Sequence, residues 1–131
     1  MAYSITFGSS VSGSGVVSQS KSVTVTGDGL DNRQITVPVG ADQLVELLMT
    51  LTRIKGYYIV SDKDVRLETN SSVGTGTAGE TINLEANEPI MWYDGCQYSK
   101  HFSSNITSLY ITNGGSAEAT VQIIVVKDVT P

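Results

Sequence analysis

The segment Ile54–Asn70 constrains the fold more than any other part of the sequence. Its first half, Ile54–Val60, is a run of β-branched and Tyr side chains, which pack well on a pleated surface. Ser61–Asp64 follows with polar side chains suited to a tight turn. Apolar and polar residues then alternate through Val65–Thr69, the period of a strand with one solvated face. The sequence therefore predicts a β-hairpin here.

A related pattern lies near the C-terminus. Ile106–Asn113, ITSLYITN, matches Ile54–Ser61, IKGYYIVS, at an Ile and at a Tyr-Ile pair. An Asn-Gly-Gly-Ser turn follows, and Thr120–Val126 returns as a strand. The pattern predicts a second hairpin over Ile106–Val126 and a sandwich in which the two hairpins form equivalent parts of a sheet. The matches are too few to indicate a duplication.

The rest of the chain extends the all-β pattern. Val and Ile make 25 residues and Ser and Thr make 30, a composition typical of hydroxyl-rich strands and turns. Turn signals recur about every 8–12 residues, which predicts one two-sheet antiparallel β-sandwich of eight or nine strands. Further strand candidates are Tyr3–Phe7, Val16–Thr26, Ile35–Val39, Thr81–Ala86 and Ile90–Tyr93.

Asp42–Thr52 fits two structures. Its leucines fall at helical spacing, and Asp42 is a suitable N-cap. The strand alternative places Val45, Leu47, Met49 and Leu51 on one face. It is favoured because the segment is short, contains two threonines and is flanked by strands.

The N-terminus predicts a separate arm. Tyr3–Phe7 is a strand candidate, and the following Gly8–Gly15, GSSVSGSG, has the composition of a flexible linker. Such a tether would leave the strand free to pair with another sheet or with a neighbouring molecule, although an ordinary surface loop fits equally well. We therefore divide the chain into an arm over residues 1–15 and a sandwich over residues 16–131. A second loop is predicted over Ser71–Gly79.

Charge and hydropathy exclude several functional classes. The net charge is -5 and the eight basic residues are scattered, which argues against a nucleic-acid surface. The N-terminal sequence resembles no secretory signal, and no apolar run approaches the ~18 residues of a membrane helix. Cys96 is the only cysteine, so the fold cannot depend on an intramolecular disulfide.

The sequence offers little for catalysis or for cofactor binding. His101, the only histidine, follows Cys96 by five residues, but a nucleophile pair also needs an orienting third group. No nucleophile elbow, metalloprotease helix or phosphate-binding loop is present. The carboxylates of Asp28, Asp31, Asp62 and Asp64 do not follow a calcium-loop spacing and are interpreted as turn residues. We predict no enzyme, no cofactor and no metal site.

Aromatic residues are the best candidates for an interface. Trp92 and Tyr93 are suited to contact a sugar or a protein partner. The alternative, favoured for Trp92, is a place in the core of the sandwich. Tyr3, Ile5 and Phe7 of the N-terminal strand complete the set of interface candidates.

Three segments together carry a family resemblance: Arg53–Ser72, Thr81–Gly95 and Ile106–Val126. Their arrangement resembles small virion proteins of tailed bacteriophages, the cement or decoration proteins on the outside of the head. The resemblance covers residues 20–128 and does not extend to the N-terminal twenty. It implies a jelly-roll-like sandwich, made in the host cytoplasm without a signal peptide, that forms a homo-oligomer (a dimer or trimer) on the capsid exterior.

The expected function is therefore structural. The protein would bind the major capsid protein and stabilise the head by bridging its subunits. The alternative is a carbohydrate- or receptor-binding sandwich of a phage tail that uses Trp92 and Tyr93.

Overall fold

A computed structural model describes residues 2–70 and 79–129, so the predicted loop Ser71–Gly79 lies outside the described residues except for Gly79. The described part is all-β, as predicted, and contains no helix able to span a bilayer. Its elements are β1 (Tyr3–Gly13), β2 (Val16–Gly27), β3 (Gly29–Val37), β4 (Asp42–Val45), a 3₁₀ turn (Leu51–Arg53), β5 (Ile54–Ser61), β6 (Val65–Thr69), β7 (Thr81–Leu84), β8 (Ile90–Tyr93), β9 (Leu109–Thr112) and β10 (Ala119–Lys127).

Eight of these strands form two four-stranded antiparallel sheets. The front sheet has the order β3-β10-β5-β8, and the back sheet has the order β4-β9-β6-β7. The pairs are nested in sequence, since β3 pairs with β10, β4 with β9, β5 with β8 and β6 with β7. Contacts of β5 with β10 and of β6 with β9 close the roll. The predicted two-sheet, jelly-roll-like sandwich is confirmed, and β1 and β2 bring the described strands to ten.

The core lies between the two sheets and follows the alternation of the strands. Along β10 every second residue faces inward, and these inward side chains are fully buried. The opposing face of the back sheet contributes side chains that are equally buried. Because both sheets offer one apolar face, closing the roll removes both faces from water. The central residues of this core are Val121, Ile123, Val125, Ile59, Leu67 and Ile111.

The predicted hairpin over Ile54–Asn70 is wrong. β5 lies in the front sheet and β6 in the back sheet, so the intervening turn connects the two sheets instead of closing a hairpin. Asp62 holds this connection: its backbone N donates to the carbonyl of Thr120 (3.1 Å), and its Oδ1 accepts from the backbone N of Thr120 (2.7 Å). The same polar turn residues suit a hairpin and an inter-sheet connection, so the local pattern cannot distinguish them.

The predicted hairpin over Ile106–Val126 is wrong for the same reason, since β9 and β10 belong to different sheets. Buried Asn113 organises the connection. Its Nδ2 donates to the carbonyls of Val37 (3.0 Å) and Ala117 (2.8 Å), and its Oδ1 accepts from the backbone N of Gly115 (3.0 Å). The sequence similarity of β5 and β9 nevertheless corresponds to similar positions, because each is an interior strand that leads into the opposite sheet.

Asp42–Thr52 contains no α-helix and begins as a strand, as the favoured alternative predicted. Only Asp42–Val45 forms a regular strand, and Met49 pairs with Ile106 in an isolated bridge. The alternation continues between these points, because Leu47 is fully buried and Leu48 is 60% exposed. Leu51 departs from the predicted face, since it begins the 3₁₀ turn and is only partly buried.

β3 begins before the strand candidate Ile35–Val39 and ends within it. The strand ends at Val37 and lies at a sheet edge, because Pro38 cannot donate a ladder hydrogen bond. The interpretation of Asp31 as a turn residue is wrong, because Asp31–Arg33 pair with β10. Lys127 Nζ lies 2.8 Å from Asp31 Oδ2, so the carboxylate forms an ion pair within the sheet.

The alternation in Asp42–Thr52 gives a matched pair of substitutions. We expect Leu47→Ala to lower the free energy of unfolding by about 2–5 kcal/mol, because it leaves a cavity in the core. Leu48→Ala removes the same atoms from an exposed position and should change stability by less than about 0.5 kcal/mol. Urea unfolding followed by circular dichroism measures both values, and equal losses would contradict the extended structure.

Candidate functional site

The N-terminal residues form a long hairpin outside the sandwich. β1 and β2 pair with each other from Tyr3–Gly27 at the base to Gly13–Val16 at the tip. The predicted flexible tether is therefore not observed: Gly8–Gly13 continues β1, and Gly15 occupies the left-handed region (φ +75°) in the tight turn. A Gly- and Ser-rich tract can form a regular ladder when the next segment pairs with it. We call the hairpin Tyr3–Gly27 the arm.

The base of the arm packs across the outer face of the front sheet. Gly27 lies against the backbone carbonyl of Lys127 and leaves no room for a side chain. At Gly56 a Cβ would lie 2.9 Å from Val25 Cγ2 and 3.0 Å from Phe7 Cε2. The arm therefore crosses β10, β5 and β8 in turn, and it approaches the sheet closely because Gly56 has no side chain.

Beyond Phe7 the arm extends past β8 into solvent. The described side chains between Gly8 and Ser22 are all exposed, and Val17 is 80% exposed. An isolated two-stranded hairpin is marginally stable in water. The exposed end of the arm therefore depends on the packed base for its order. One face of the arm is a row of hydroxyl groups, in which Thr6 Oγ1 lies 2.8 Å from Thr24 Oγ1. This row comprises Ser4, Thr6, Ser10, Ser20, Ser22, Thr24 and Thr26.

The arm differs from the body in charge. Lys21 is the only charged side chain in residues 1–27, and the remaining chain holds seven basic and thirteen acidic residues. A weakly positive arm therefore extends from a body of net charge -6.

A cleft of about 310 Å³ lies where the arm passes over β8. The arm and β8 form its two main walls, and the loop after β8 closes one end. The Phe7 and Tyr93 rings, 5.1 Å apart, join the walls at its base. Tyr98, at the closed end, is 80% exposed. We call this cleft the slot, and its main lining residues are Phe7, Lys21, Val23, Met91, Tyr93 and Tyr98.

Trp92 belongs to the core and not to the surface. It is only 8% exposed, and its ring is stacked with the Tyr57 ring at a centroid distance of 6.2 Å. Its Nε1 donates to the carbonyl of Tyr98 (3.0 Å), and Lys100 Nζ lies 4.2 Å from the ring centroid. Trp92 therefore fixes the loop that closes the slot, while Tyr93 on the other face of β8 lines it.

A hydrogen-bonded pair of buried Tyr57 and exposed His101 anchors the same loop. The Tyr57 hydroxyl accepts from the backbone N of His101 (2.8 Å) and lies 2.6 Å from His101 Nδ1. In a neutral imidazole whose Nδ1 carries no proton, that nitrogen accepts the hydroxyl proton of Tyr57. Burial agrees with this arrangement, since it lowers the pKa of His101 and raises the pKa of Tyr57 to about 12.

Cys96 and His101 have different partners. Cys96 Sγ donates to the carbonyl of Tyr98 (3.3 Å), whereas the His101 ring contacts Tyr57. These contacts place both side chains in the anchoring of one loop.

Three of the four carboxylates considered as metal ligands, those of Asp28, Asp62 and Asp64, accept hydrogen bonds from backbone N–H groups, whereas Asp31 pairs with Lys127. Asp28 Oδ1 accepts from Val129 (2.6 Å), and Asp64 Oδ1 accepts from Ala86 (2.8 Å). These contacts agree with their interpretation as turn residues. Over residues 2–70 and 79–129, no three His, Cys, Asp or Glu side chains are grouped to hold a metal ion.

The structure brings together only part of the predicted interface set. Phe7 and Tyr93 meet at the base of the slot, Trp92 lies in the core, and Tyr3 and Ile5 are half-buried near the base of the arm. Sequence reasoning missed Met91, Lys21 and Tyr98, whose positions depend on the course of the arm. One local signal was present: a glycine within a strand, here Gly56, indicates close approach of another segment.

Comparison with known proteins identifies no family. No family model and no curated protein sequence matches the chain. The chain is similar to the solution NMR structure of a de novo designed double-stranded β-helix, at 13% sequence identity and a TM-score of 0.46. The match covers 72% of this chain and 97% of the designed one. It is too weak to bear on fold or function.

The contact at Gly56 predicts how the arm can be loosened. Gly56→Ala should displace Val25 and Phe7 and cost about 1–3 kcal/mol, as overpacking does. Amide hydrogen exchange across β1 and β2 should accelerate while the sandwich core stays protected. Gly114→Ala is the matched control, because a Cβ there has no neighbour within 4 Å. Unchanged exchange in the arm of Gly56→Ala would contradict the packing described.

The Tyr57–His101 pair predicts a pH dependence of stability. Because the pKa of His101 is lowered in the folded state, the unfolded state binds more protons as the pH falls through 6.5. The contribution is fully present above 6.5 and is lost below it. Melting temperature should therefore fall more steeply between pH 7 and 5 in the wild type than in His101→Asn, which removes the titrating group. Parallel curves would show that His101 is not held neutral.

Proposed function

We propose that this protein is a structural virion protein that binds the major capsid protein and stabilises a phage head by bridging its subunits. The overhanging arm is the observation that carries this proposal. Its end extends from a packed body, is exposed on both faces and has backbone groups at its edges available for pairing. Ordering such a hairpin costs conformational entropy that its own chain does not offset by burial, so docking on another molecule is its most direct use.

The jelly-roll body suits the same role. Its two sheets form one continuous core, and the base of the arm is fixed to the front sheet through Phe7, Val25 and Gly56. A rigid body that presents an arm in one direction fits a repetitive lattice, in which every copy meets the same geometry. The resemblance of Arg53–Ser72, Thr81–Gly95 and Ile106–Val126 to phage cement proteins also supports this role.

Bridging requires more than one contact for each bound unit. Two linked sites bind ~10²–10⁴ times more firmly than either alone when the geometry permits both. We therefore propose that the protein acts as a homo-oligomer, a dimer or trimer, on the capsid exterior after synthesis in the host cytoplasm.

A receptor-binding role is the second candidate, and the slot is the observation that favours it. Tyr98 presents an exposed ring beside Tyr93, an arrangement suited to stacking against a sugar ring. Trp92 cannot serve as the platform because it lies in the core. In this alternative the protein is a carbohydrate-binding module of a phage tail that uses Tyr93 and Tyr98.

Shortening the arm tests the first proposal. Replacing Ser10–Ser20 with Asn-Gly joins the Ser9–Lys21 pair by a two-residue hairpin turn and keeps the packed base. The variant should melt like the wild type yet bind undecorated heads roughly 100-fold more weakly, because one of two linked contacts is lost. Light scattering and head-binding titrations give the two readouts, and Gly114→Ala is the control for an unrelated surface change.

Two outcomes would oppose this function. A strictly monomeric wild type that ignores heads would end it, and equal binding by the shortened variant would remove the arm from the interface. Retention of the wild type on a glycan array, abolished by Tyr98→Ala with the fold intact, would instead support the receptor-binding role.

A further inference from the structure

β8 has a free edge beside the slot. Among the described strands it is the last of the front sheet, and it pairs on one side only, with β5. The backbone N of Asp94 donates to the carbonyl of Lys55 (2.8 Å), which makes Lys55 and Asp94 a hydrogen-bonded pair. In an antiparallel ladder such pairs alternate. Residues 90 and 92 therefore bond to β5, whereas the peptide groups of Met91 and Tyr93 point away from it.

Those outward groups are largely available. The carbonyl of Tyr93 accepts from the backbone N of Cys96 (3.0 Å), which confirms its direction away from β5. Within residues 2–70 and 79–129, the N–H and C=O of Met91 make no backbone hydrogen bond outside the strand ladders, and β8 pairs with β5 alone. The edge thus offers the N–H and C=O of Met91 and the N–H of Tyr93 to an incoming strand.

The arm passes over this edge. Its base covers β10, β5 and β8, and its next residues, Gly8, Ser9 and Lys21, line the slot beyond β8. A strand added to the edge would lie beneath the arm, as β5 and β8 lie beneath its base. The slot is the space between the arm and the edge of β8, and Tyr98 closes one end.

We propose that the slot binds an extended acidic peptide segment, which adds to β8 as a fifth strand of the front sheet beneath the arm. Its occupant is a segment of the protein that the arm contacts, so the inference rests on the proposed function and specifies how the partner is recognised. Hydrogen bonds to Met91 and Tyr93 hold its backbone. Alternate side chains of the segment point up into the slot.

The lining defines the chemistry of those side chains. The lining is largely apolar: Phe7 and Val23 come from the arm, and Met91 and Tyr93 come from β8. This lining suits one large aromatic or aliphatic side chain. Among the described residues of the lining, Lys21 is the only charged one, and no carboxylate joins it. A carboxylate two positions from the apolar residue lies on the same face of the segment, the face that is turned towards Lys21 of the arm. The preferred segment therefore has an apolar residue at position i and an acidic residue at i+2 or i−2.

A second copy of this chain is a poorer occupant. Its most accessible extended part is the end of the arm, and residues 1–27 contain no Asp or Glu.

The test uses defined probes. The first is a fluorescently labelled octapeptide of threonines with a central phenylalanine and a glutamate two positions later. The second is the same peptide N-methylated at the amides that would face β8. Anisotropy titrations should show binding of the first and a loss of roughly tenfold or more for the second, which cannot form the ladder hydrogen bonds.

Variants of the protein complete the design. Lys21→Glu should weaken the first peptide roughly tenfold, whereas Lys63→Glu, the same charge change on an exposed turn, should not. Met91→Pro removes one outward N–H, and proline is tolerated at such edge positions; binding should fall while circular dichroism is unchanged. If Met91→Pro fails to fold, the N-methylated peptide still tests the backbone pairing.

The outcomes separate this inference from the proposed function. Suppose that heads bind the wild type, Met91→Pro and Lys21→Glu equally and that the protein does not bind the peptide. This result would contradict peptide binding in the slot and leave the structural role intact. Peptide binding with the expected losses, but no binding to heads, would support the slot and end the structural role. Self-association that Met91→Pro abolishes and the peptide does not displace would make a second copy the occupant and overturn the proposal.

Discussion

The pairing of β10 on both sides is the constraint on which the structure depends. β10 joins β3 to β5 and so connects the outermost pair of the nested strands to the interior of the front sheet. Its inward residues, including Val121 and Ile123, are fully buried, and outward Val126 is buried beside Gly27 of the arm. One strand thus supports the sheet, the core and the seat of the arm. Because a central strand has no exposed edge, its run TVQIIVV is protected from pairing with other chains.

The arm combines an apolar base with a polar end, and the two parts have different physical roles. Phe7 and Val25 remove apolar surface from water at the base, where Gly56 permits contact with the sheet backbone. The end presents hydroxyl groups and Lys21, which limit non-specific association of an exposed hairpin. The body can therefore hold an unpaired hairpin away from its surface, and the slot lies where the two parts meet.

The sequence predicted what depends on local alternation and missed what depends on distant pairing. Buried Leu47 and exposed Leu48, the end of β3 before Pro38 and the core position of Trp92 follow from local patterns. The partners of β5 and β9 do not, because a turn rich in Ser, Asp or Gly can lead to the adjacent strand or to the opposite sheet. The slot was unpredictable for the same reason: it joins Lys21 to Met91, which come together only through the path of the arm.

The seat of the arm has a consequence for the order of events during synthesis. Gly27 packs against Lys127, and β3 pairs with β10. The first three strands therefore make these contacts only when β10 is present. A chain without β10 has a complete hairpin but lacks Lys127, against which Gly27 packs. Because contacts this distant in sequence form late in folding, we expect the arm to dock after β10 has joined the front sheet. A product truncated before β10 would therefore carry a hairpin with no defined direction.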